Sequence, residues 1–186
     1  MAPTLTPLRD ASLDELMAAA SPPEVWELMP WPLGRDREAM EAYLATAFAD
    51  EDAETAIPFA VRLEGKLVGS TRYHAIDRAH RKAEIGYTWY HPSHWRTGLN
   101  RAVKISMLDR GFGEMGLHRI YFQIDKRNER SQRAVAALGA VREAELREDR
   151  ILQDGYLRTT VVYGLLAREW PENRERLMTR WEFLTK

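Results

Sequence analysis

The chain has 186 residues, of which 45% are hydrophobic and 30% are charged, and its formal net charge is −1. This length suits one domain with a substantial core, and the balanced charge gives no general attraction to nucleic acid or to an anionic membrane. The absence of cysteine excludes disulfides, thiolate zinc sites and a cysteine nucleophile.

The amino-terminal end lacks an apolar run behind basic residues. No segment approaches the roughly 20 apolar residues that cross a bilayer. We therefore expect a cytoplasmic protein that has no membrane partner and does not bind nucleic acid directly. No repeat, low-complexity tract or linker divides the chain, which predicts a single domain over residues 1–186.

Short helical stretches are predicted first, over about residues 10–50. Ser12 to Glu15 and Ser21 to Glu24 each match the S-x-x-E capping box that starts a helix. From Asp36 to Ala49, apolar residues recur at helical spacing, which predicts a helix with one buried face.

Strands follow the helices. Residues 57–63 and 67–74 alternate apolar and polar side chains on either side of Glu64-Gly65-Lys66, which predicts a hairpin. Ala83 to Tyr90 is predicted to be another strand, because side chains of opposite character alternate along it. Its predicted faces are Ala83, Ile85, Tyr87 and Trp89 on one side and Glu84, Gly86, Thr88 and Tyr90 on the other.

The second half of the chain alternates helices and strands before a final helix. An Asp-Gly pair at residues 154–155 predicts the turn of a last hairpin. The predicted helices are about 99–115, 128–138 and 172–183, and the predicted strands are 119–125, 143–152 and 157–166.

The segment from Tyr90 to Gly139 has the parts of a site for a phosphate-bearing cofactor. Its basic loop WRTGLNR opens directly onto a helix, whose first N–H groups lack partners within the helix. These donors, the positive end of the helix dipole, Arg96 and Arg101 together suit a pyrophosphate.

This segment resembles the acetyl-coenzyme A core of the GNAT N-acetyltransferase superfamily. Within it, the closest likeness is to the branch that acetylates amino termini of ribosomal proteins (RimJ/RimL type). The family loop reads Q/R-x-x-G-x-G/A, with a W-G-x-G-x-A variant. Residues Trp95–Asn100 match the tryptophan of the variant and the first glycine of the general pattern. They place Asn100 where Gly or Ala is usual. Asn128–Ser131 and the turn Leu138–Ala140 resemble the family's N-x-x-S helix and glycine turn. The likeness covers about residues 57–166, with a weaker match at Met29–Pro32.

The resemblance implies an α/β (α+β) fold of GNAT type, with a mixed, mostly antiparallel central sheet that is flanked by helices and splayed near Tyr90. It implies acetyl-CoA as co-substrate, no metal, and direct transfer to a primary amine, with a protein or peptide α-amine as acceptor. A homodimer is compatible with it. The implied cofactor-binding residues are Tyr87, Thr88, Trp89, Tyr90, Trp95, Arg96, Thr97, Gly98, Leu99, Asn100, Arg101, Asn128 and Ser131.

Glu84 is the candidate catalytic base. Apolar neighbours such as Ile85 and Trp89 would partly desolvate its carboxylate, which favours proton uptake near neutral pH. In the family, an acidic residue on the matching strand often has this role. The alternative is an ion pair across the sheet with Arg72 or Arg81.

Ser131 is the candidate catalytic acid. The family's usual tyrosine position is Val135 here, and members without that tyrosine use a serine to protonate the thiolate. Ser131 could instead be a surface serine, and Asn128 could serve as the helix N-cap alone. A backbone N–H within Tyr87–Tyr90 is the expected donor to the thioester carbonyl.

Other residues allow two interpretations each. His91 and His94 have a spacing that could bind a metal, but they lack a third ligand cluster, so we expect none. The basic residues Lys126, Arg127, Arg130 and Arg133 contact the nucleotide end of the cofactor or form a solvated face.

The acceptor pocket is predicted from the helical region before the core. Its aromatic residues form a pocket wall or pack in the core, and acidic residues nearby would favour a cationic amine. The residues concerned are Trp26, Trp31, Tyr43 and Trp89, with Glu24, Glu27 and Asp36.

Three other functions stay open at this level. An acetyltransferase of a small-molecule amine would keep the same machinery. A non-catalytic acyl-CoA-binding module would keep the loop but would not need Glu84 or Ser131. A nucleotide-binding regulatory protein would prefer ATP to coenzyme A.

Overall fold

A seven-stranded sheet with helices on both faces organises the chain in the computed structural model, which describes residues 2–29, 36–152 and 154–184. The strands are β1 (Thr4–Pro7), β2 (Ile57–Leu63), β3 (Lys66–Asp77), β4 (Lys82–Tyr90), β5 (Arg119–Asp125), β6 (Val141–Ile151) and β7 (Leu157–Leu166). The helices are α1 (Leu13–Ala20), α2 (Arg37–Asp52), α3 (Leu99–Phe112), α4 (Glu129–Ala137) and α5 (Trp170–Leu184).

The spatial order of the strands is β1-β2-β3-β4-β5-β7-β6. β4 and β5 run parallel, and the other neighbouring strands among the described residues run antiparallel. This arrangement confirms the predicted mixed, mostly antiparallel sheet. It also places the parallel pair at the centre, where α3 makes the crossover between its two strands.

Two hydrophobic clusters hold the helices against the sheet. The larger joins α3 to the central strands and includes Val103, Met107 and Ile120. The smaller joins α1 and α2 to the sheet through residues such as Leu16 and Met40. Since each such buried side chain contributes about 1.5–3 kcal/mol, the larger cluster holds α3 firmly against the central strands.

The two predicted capping boxes behave differently. Ser12 and Glu15 form one, with the Glu15 amide donating to Ser12 Oγ at 3.2 Å and the Ser12 amide donating to Glu15 Oε2 at 3.1 Å. The box at Ser21 is wrong. The Ser21 hydroxyl donates back to the Ala18 carbonyl at 3.1 Å, and a short 3-10 turn at Pro23–Val25 follows without a side-chain cap.

The predicted faces of β4 are wrong from Tyr87 onward. Tyr87 has a φ of 51° and lies where the β3–β4 register shifts, so it forms a bulge that reverses the alternation. Tyr87 and Trp89 therefore share the face of Glu84, while Thr88 and Tyr90 turn toward α3. The simple period of two could not reveal this extra residue.

The splay of the sheet begins earlier than expected. β4 and β5 pair over three positions, Lys82–Glu84 with Arg119–Tyr121, and are unpaired beyond Glu84 instead of separating near Tyr90. The predicted strands and helices otherwise match to within a few residues, although α3 ends at Phe112 because Gly113 caps it. Residue Gln153, in the predicted last turn, lies outside the described residues.

Candidate active site

A cleft of about 660 Å³ opens where β4 and β5 separate. Its walls come from both strands, from the loop before α3 and from the start of α4. The segment from Glu24 to Met29 closes part of one side. The opening in the sheet is therefore lined in part by the segment from Tyr90 to Gly139, where the sequence predicts the cofactor site.

The loop before α3 is held in a fixed shape. Trp95 Nε1 donates to the Tyr90 carbonyl at 3.1 Å, and the Thr97 hydroxyl donates to the His94 carbonyl at 2.8 Å. Gly98 is the N-cap of α3 with a φ of 91°, a conformation that favours glycine. The helix therefore starts at the cleft and directs its first-turn N–H groups and positive dipole end toward it.

Most of the predicted cofactor-binding residues line this cleft. Thr97 and Leu99 do not line it. Leu99 is buried in the larger hydrophobic cluster, and the Thr97 hydroxyl is hydrogen-bonded to the His94 carbonyl within the loop. The residues that do are Tyr87, Thr88, Trp89, Tyr90, Trp95, Arg96, Gly98, Asn100, Arg101, Asn128 and Ser131.

The basic residues around α4 divide into two groups. Arg130 lines the cleft with its guanidinium 4.0 Å from the centre of the Trp95 ring, and Arg127 lines it while bound to Asp125. Lys126 and Arg133 are not among the lining residues, and their own side chains are exposed. Lys126 pairs with the half-buried Glu145, and Arg133 pairs with the exposed Glu129. The solvated-face interpretation therefore holds for the second group.

Glu84 lies in the cleft wall and is 5% exposed. Its Oε2 accepts a hydrogen bond from Gln123 Nε2 at 2.9 Å, and its Oε1 lies 3.3 Å from His74 Nε2. A Cβ at Gly86 would lie 2.6 Å from that His74 nitrogen, so glycine is what allows His74 to approach. One carboxylate thus contacts a titratable ring on one strand and an amide on another.

The alternative ion pair for Glu84 is wrong. Arg72 is fully buried and stacks on two tyrosines, 4.7 Å from the Tyr43 ring and 3.9 Å from the Tyr87 ring. Its nearest described carboxylate is Asp50 at 3.9 Å. Arg81 forms no described ion pair with Glu84 either. Arg72 therefore supports the bulge at Tyr87 and leaves Glu84 to the cleft.

The start of α4 places Ser131 and Asn128 together. Asn128 is the N-cap, and its Oδ1 accepts a hydrogen bond from the Ser131 amide at 3.0 Å. This confirms the capping role of Asn128. Both residues also line the cleft, so a functional role remains compatible with the cap.

The predicted aromatic acceptor wall is wrong for two of its residues. Trp26 and Tyr43 belong to the smaller hydrophobic cluster, where Trp26 packs on Trp89 with ring centres 5.4 Å apart. Asp36 caps α2 by accepting from the Ala39 amide at 2.8 Å. Trp31 lies outside the described residues. Glu24 and Glu27 do reach the cleft, where both are exposed.

Sequence reasoning missed Lys104, which lies at the floor of the cleft. The residue is 4% exposed, its Nζ donates to Thr88 Oγ1 at 2.7 Å, and burial lowers its pKa to about 7. The signal was present, because Lys104 follows Val103 and precedes Met107 by three residues on the buried side of a predicted helix. A lysine at such a position has a functional or strained environment.

Four more lining residues carried no local sequence signal: His74, Gln123, Arg150 and Arg158. Arg150 donates to Gln123 Oε1 at 3.1 Å, and Arg158 donates to the Gln123 carbonyl at 3.2 Å. They come from β3, β5, β6 and β7 and meet through the sheet order. Tertiary pairing brings them together at the Glu84 end of the cleft.

Neither a metal cluster nor a membrane-spanning helix occurs within residues 2–29, 36–152 and 154–184. No group of three or more His, Cys, Asp or Glu side chains there could hold a metal, and His91 Nδ1 lies 2.7 Å from the Ser93 hydroxyl. No helix of this part of the chain is long and apolar enough to span a bilayer.

Comparison with known proteins identifies the same family as the sequence motifs. The profile described as "Acetyltransferase (GNAT) domain" matches residues 4–141. A solved structure from T. thermophilus, provisionally assigned as an acetyltransferase, is 33% identical and superposes with a TM-score of 0.84 over 97% of this chain and 94% of that one. The GNAT resemblance and the predicted fold are therefore confirmed.

Three N-acetyltransferases are similar to part of this chain, and the names of two of them give different acceptors. YoaA of Bacillus subtilis, an uncharacterized N-acetyltransferase, is 36% identical over 101 residues, covering 54% of this chain and 56% of YoaA. YdaF of the same organism, provisionally named a ribosomal N-acetyltransferase, is 32% identical over 107 residues, covering 58% and 57%. Spermidine N(1)-acetyltransferase of Escherichia coli is 31% identical over 99 residues, covering 53% and 52%. The matches thus span little more than half the length of these relatives.

Replacing Lys104 by Met should stabilise the ligand-free protein at pH 7. Because the folded-state pKa is lowered to about 7 from 10.5, the unfolded chain binds more protons between these values, and the wild-type free energy of unfolding should rise with pH across this window. The advantage of Lys104→Met should therefore shrink by roughly 1–3 kcal/mol between pH 7 and pH 10, at about 1.4 kcal/mol per pKa unit.

Urea unfolding at several pH values measures this difference. Lys66→Met is the matched control, since Lys66 is exposed at the β2–β3 turn. A difference between wild type and Lys104→Met that does not vary with pH would contradict a desolvated amine.

Proposed function

This chain belongs to the GNAT acetyltransferase family, and from that premise we propose that it transfers an acetyl group from acetyl-CoA to a primary amine of a protein or peptide. The transfer is direct, within a ternary complex. The observation that carries the proposal is the cleft between β4 and β5, which joins a helix N-terminus to the buried carboxylate of Glu84 and the hydroxyl of Ser131.

The donor half of the cleft suits a pyrophosphate. The first turn of α3 supplies backbone N–H donors, and Arg96 and Arg101 add positive charge beside it. Arg130, stacked on Trp95, extends this charge toward α4. Beyond Glu84, β4 is paired with β3 but not with β5, so its edge toward β5 has backbone groups able to bond the amides of a pantetheine arm.

The chemistry then follows from three positions. The acceptor nitrogen attacks the thioester carbonyl carbon, and Glu84 takes the proton that the nitrogen loses, directly or through water. A backbone N–H near the bulge at Tyr87 stabilises the oxyanion. The C–S bond breaks as the carbonyl reforms, and the departing sulfur takes a proton from the Ser131 hydroxyl. Ser131 regains a proton from water, and Glu84 releases to solvent the proton that it took from the amine.

Two relatives support different acceptors. The name of YdaF supports a protein α-amine, while the likeness to spermidine N(1)-acetyltransferase favours a polyamine as the second candidate. An α-amine has a pKa near ~8 and needs less help to lose its proton than an amine near ~10.4. A single buried carboxylate such as Glu84 is therefore sufficient for the first acceptor.

The loop assignment is tested by Gly98→Val. A side chain at this N-cap should block the approach of a phosphate and weaken acetyl-CoA binding by roughly tenfold or more, the worth of one hydrogen bond to a charged group. Calorimetry measures the dissociation constant. Gly116→Val is the control, because Gly116 also has a positive φ, at 60°, but has open space around it and does not line the cleft. Equal affinities in both folded variants would place the phosphates elsewhere.

The base is tested by Glu84→Gln, which keeps the shape of the side chain but cannot accept the proton. Turnover should fall by roughly 10²- to 10⁴-fold while acetyl-CoA binding changes little. Thiol release at saturating acetyl-CoA measures it. Glu143→Gln is the matched control, since Glu143 pairs with Arg119 away from the cleft. Wild-type turnover in Glu84→Gln would remove this residue from the mechanism.

Ser131→Ala should reduce kcat and leave the acetyl-CoA dissociation constant nearly unchanged, because the hydroxyl acts as charge builds on sulfur. Ser106→Ala, at an exposed position of α3 outside the cleft, should have no effect on kcat.

Asn128→Ala should lower the free energy of unfolding by about 1 kcal/mol through the lost cap. A Ser131→Ala effect confined to cofactor affinity would make Ser131 a binding residue.

A further inference from the structure

The Glu84 end of the cleft contains a buried arginine that lacks an ion-pair partner among the described residues. Arg158 lies on β7, lines the cleft and is 6% exposed. One of its terminal nitrogens donates to the Gln123 carbonyl at 3.2 Å, while its Nε is buried without a hydrogen-bond partner in the part of the chain that the structure describes. A buried charge left in this state is costly unless an anion approaches it.

The charged groups near Arg158 are engaged elsewhere. Asp125 forms an ion pair with Arg127 at 2.8 Å, and Asp149 forms one with Arg150 at 3.3 Å. Glu84 contacts Gln123 and His74. No described carboxylate forms an ion pair with Arg158 within 4 Å. Burial lowers the pKa of Arg158, Arg150 lowers it further, and Asp125, Glu84 and Asp149 act in the opposite direction.

A second arginine faces the first across the last hairpin. Arg150 of β6 is the register partner of Arg158 of β7, and both line the cleft. Like charges directly opposite each other destabilise a sheet. The register shift between Leu146 and Arg150, where Glu148 has a φ of 53°, creates this pairing. Such bulges are common beside active sites, where they redirect a side chain.

Both arginines bind the same residue that holds the candidate base. Gln123 donates to Glu84, accepts from Arg150 through its side chain and accepts from Arg158 through its carbonyl. The two guanidinium groups therefore lie one side chain away from the carboxylate that would receive the proton of the acceptor amine. An anion held by them would lie near Glu84, on the last hairpin, whereas Arg96 and Arg101 belong to the loop before α3 and to its first turn.

We propose that Arg158 and Arg150 form a subsite for a carboxylate that the acceptor carries close to its reactive amine. This inference rests on the proposed acetyl transfer and narrows its acceptor. The carboxylate belongs to a free α-amino acid or to an acidic residue near the start of a peptide. Planar guanidinium groups match a carboxylate in a two-pronged geometry, whereas a polyamine would place positive charge against positive charge.

Matched acceptors test the charge requirement. Alanine is compared with alaninamide, and the amidated dipeptide Ala-Asp is compared with Ala-Asn, with spermidine as the cationic reference. Thiol release should show a preference of roughly 10- to 100-fold in kcat/KM for the carboxylate member of at least one pair, as expected for hydrogen bonds between charged groups. A preference for alanine over alaninamide would indicate a free amino acid as acceptor, and a preference for Ala-Asp over Ala-Asn would indicate a peptide.

Variants connect that preference to the two arginines. Arg158→Gln and Arg150→Gln should raise KM for the preferred carboxylate about tenfold or more and leave the amide member nearly unchanged. Arg150 is exposed, so Arg150→Gln should fold even if Arg158→Gln, at a buried position, does not. Arg147→Gln is the control, because Arg147 lies on the same strand, is exposed and does not line the cleft. Equal use of acid and amide, or a preference for spermidine, would overturn the subsite and leave the acetyl transfer intact.

A binding measurement separates this subsite from the transfer reaction. Calorimetry with N-acetylalanine and N-acetylalaninamide, in the presence of coenzyme A, needs no turnover. If N-acetylalanine binds more tightly than N-acetylalaninamide, and Arg150→Gln removes this difference, the subsite is supported. This holds even if no amine causes thiol release, since a lack of thiol release would count only against the proposed acetyl transfer. Equal binding of the two compounds would overturn the subsite.

Discussion

The separation of β4 from β5 after three residue pairs is the constraint on which the rest of the site depends. Parallel neighbours normally continue to exchange hydrogen bonds, and unpaired backbone groups inside a protein are costly. Here the two strands diverge beyond Glu84, and α3 crosses between them with its first turn at the mouth of the gap. A ligand with amide groups along its length could complete the interrupted ladder, as the proposed function requires of the pantetheine arm.

The bulge at Tyr87 determines which side chains of β4 lie on each face of the sheet. Its φ of 51° is unusual for an aromatic residue and requires support from its surroundings. Arg72 provides that support on one side by stacking on the Tyr87 ring. On the other side, Thr88 bonds both Thr71 and Lys104. Because the bulge shifts the alternation, Glu84 and Tyr87 share one face while Thr88 meets Lys104 on the face of α3.

The sequence predicted the parts of this protein that depend on local periodicity and motif order. The hairpin of β2 and β3, the loop at Gly98 and the cap at Asn128 follow from turn chemistry, a glycine and an asparagine at the right positions. The faces of β4 beyond Gly86 did not follow, because a bulge adds one residue without any change in composition. Gln123, Arg150 and Arg158 were missed for a different reason: strand order and register bring them to Glu84 from distant parts of the chain.

The distribution of charge along the cleft has a consequence for how two substrates can be told apart. Arg96 and Arg101 lie at the start of α3, whereas Arg150 and Arg158 lie on the last hairpin, with Glu84 beside the latter pair. In the proposed function, the first pair would attract a phosphate-bearing donor by the helix dipole as well as by charge. The second pair lacks a helix terminus but offers planar donors next to a base. Two positive regions of different chemistry, on different elements of one cleft, would thus hold donor and acceptor in a fixed relative orientation. Orientation of this kind lowers the barrier to direct transfer.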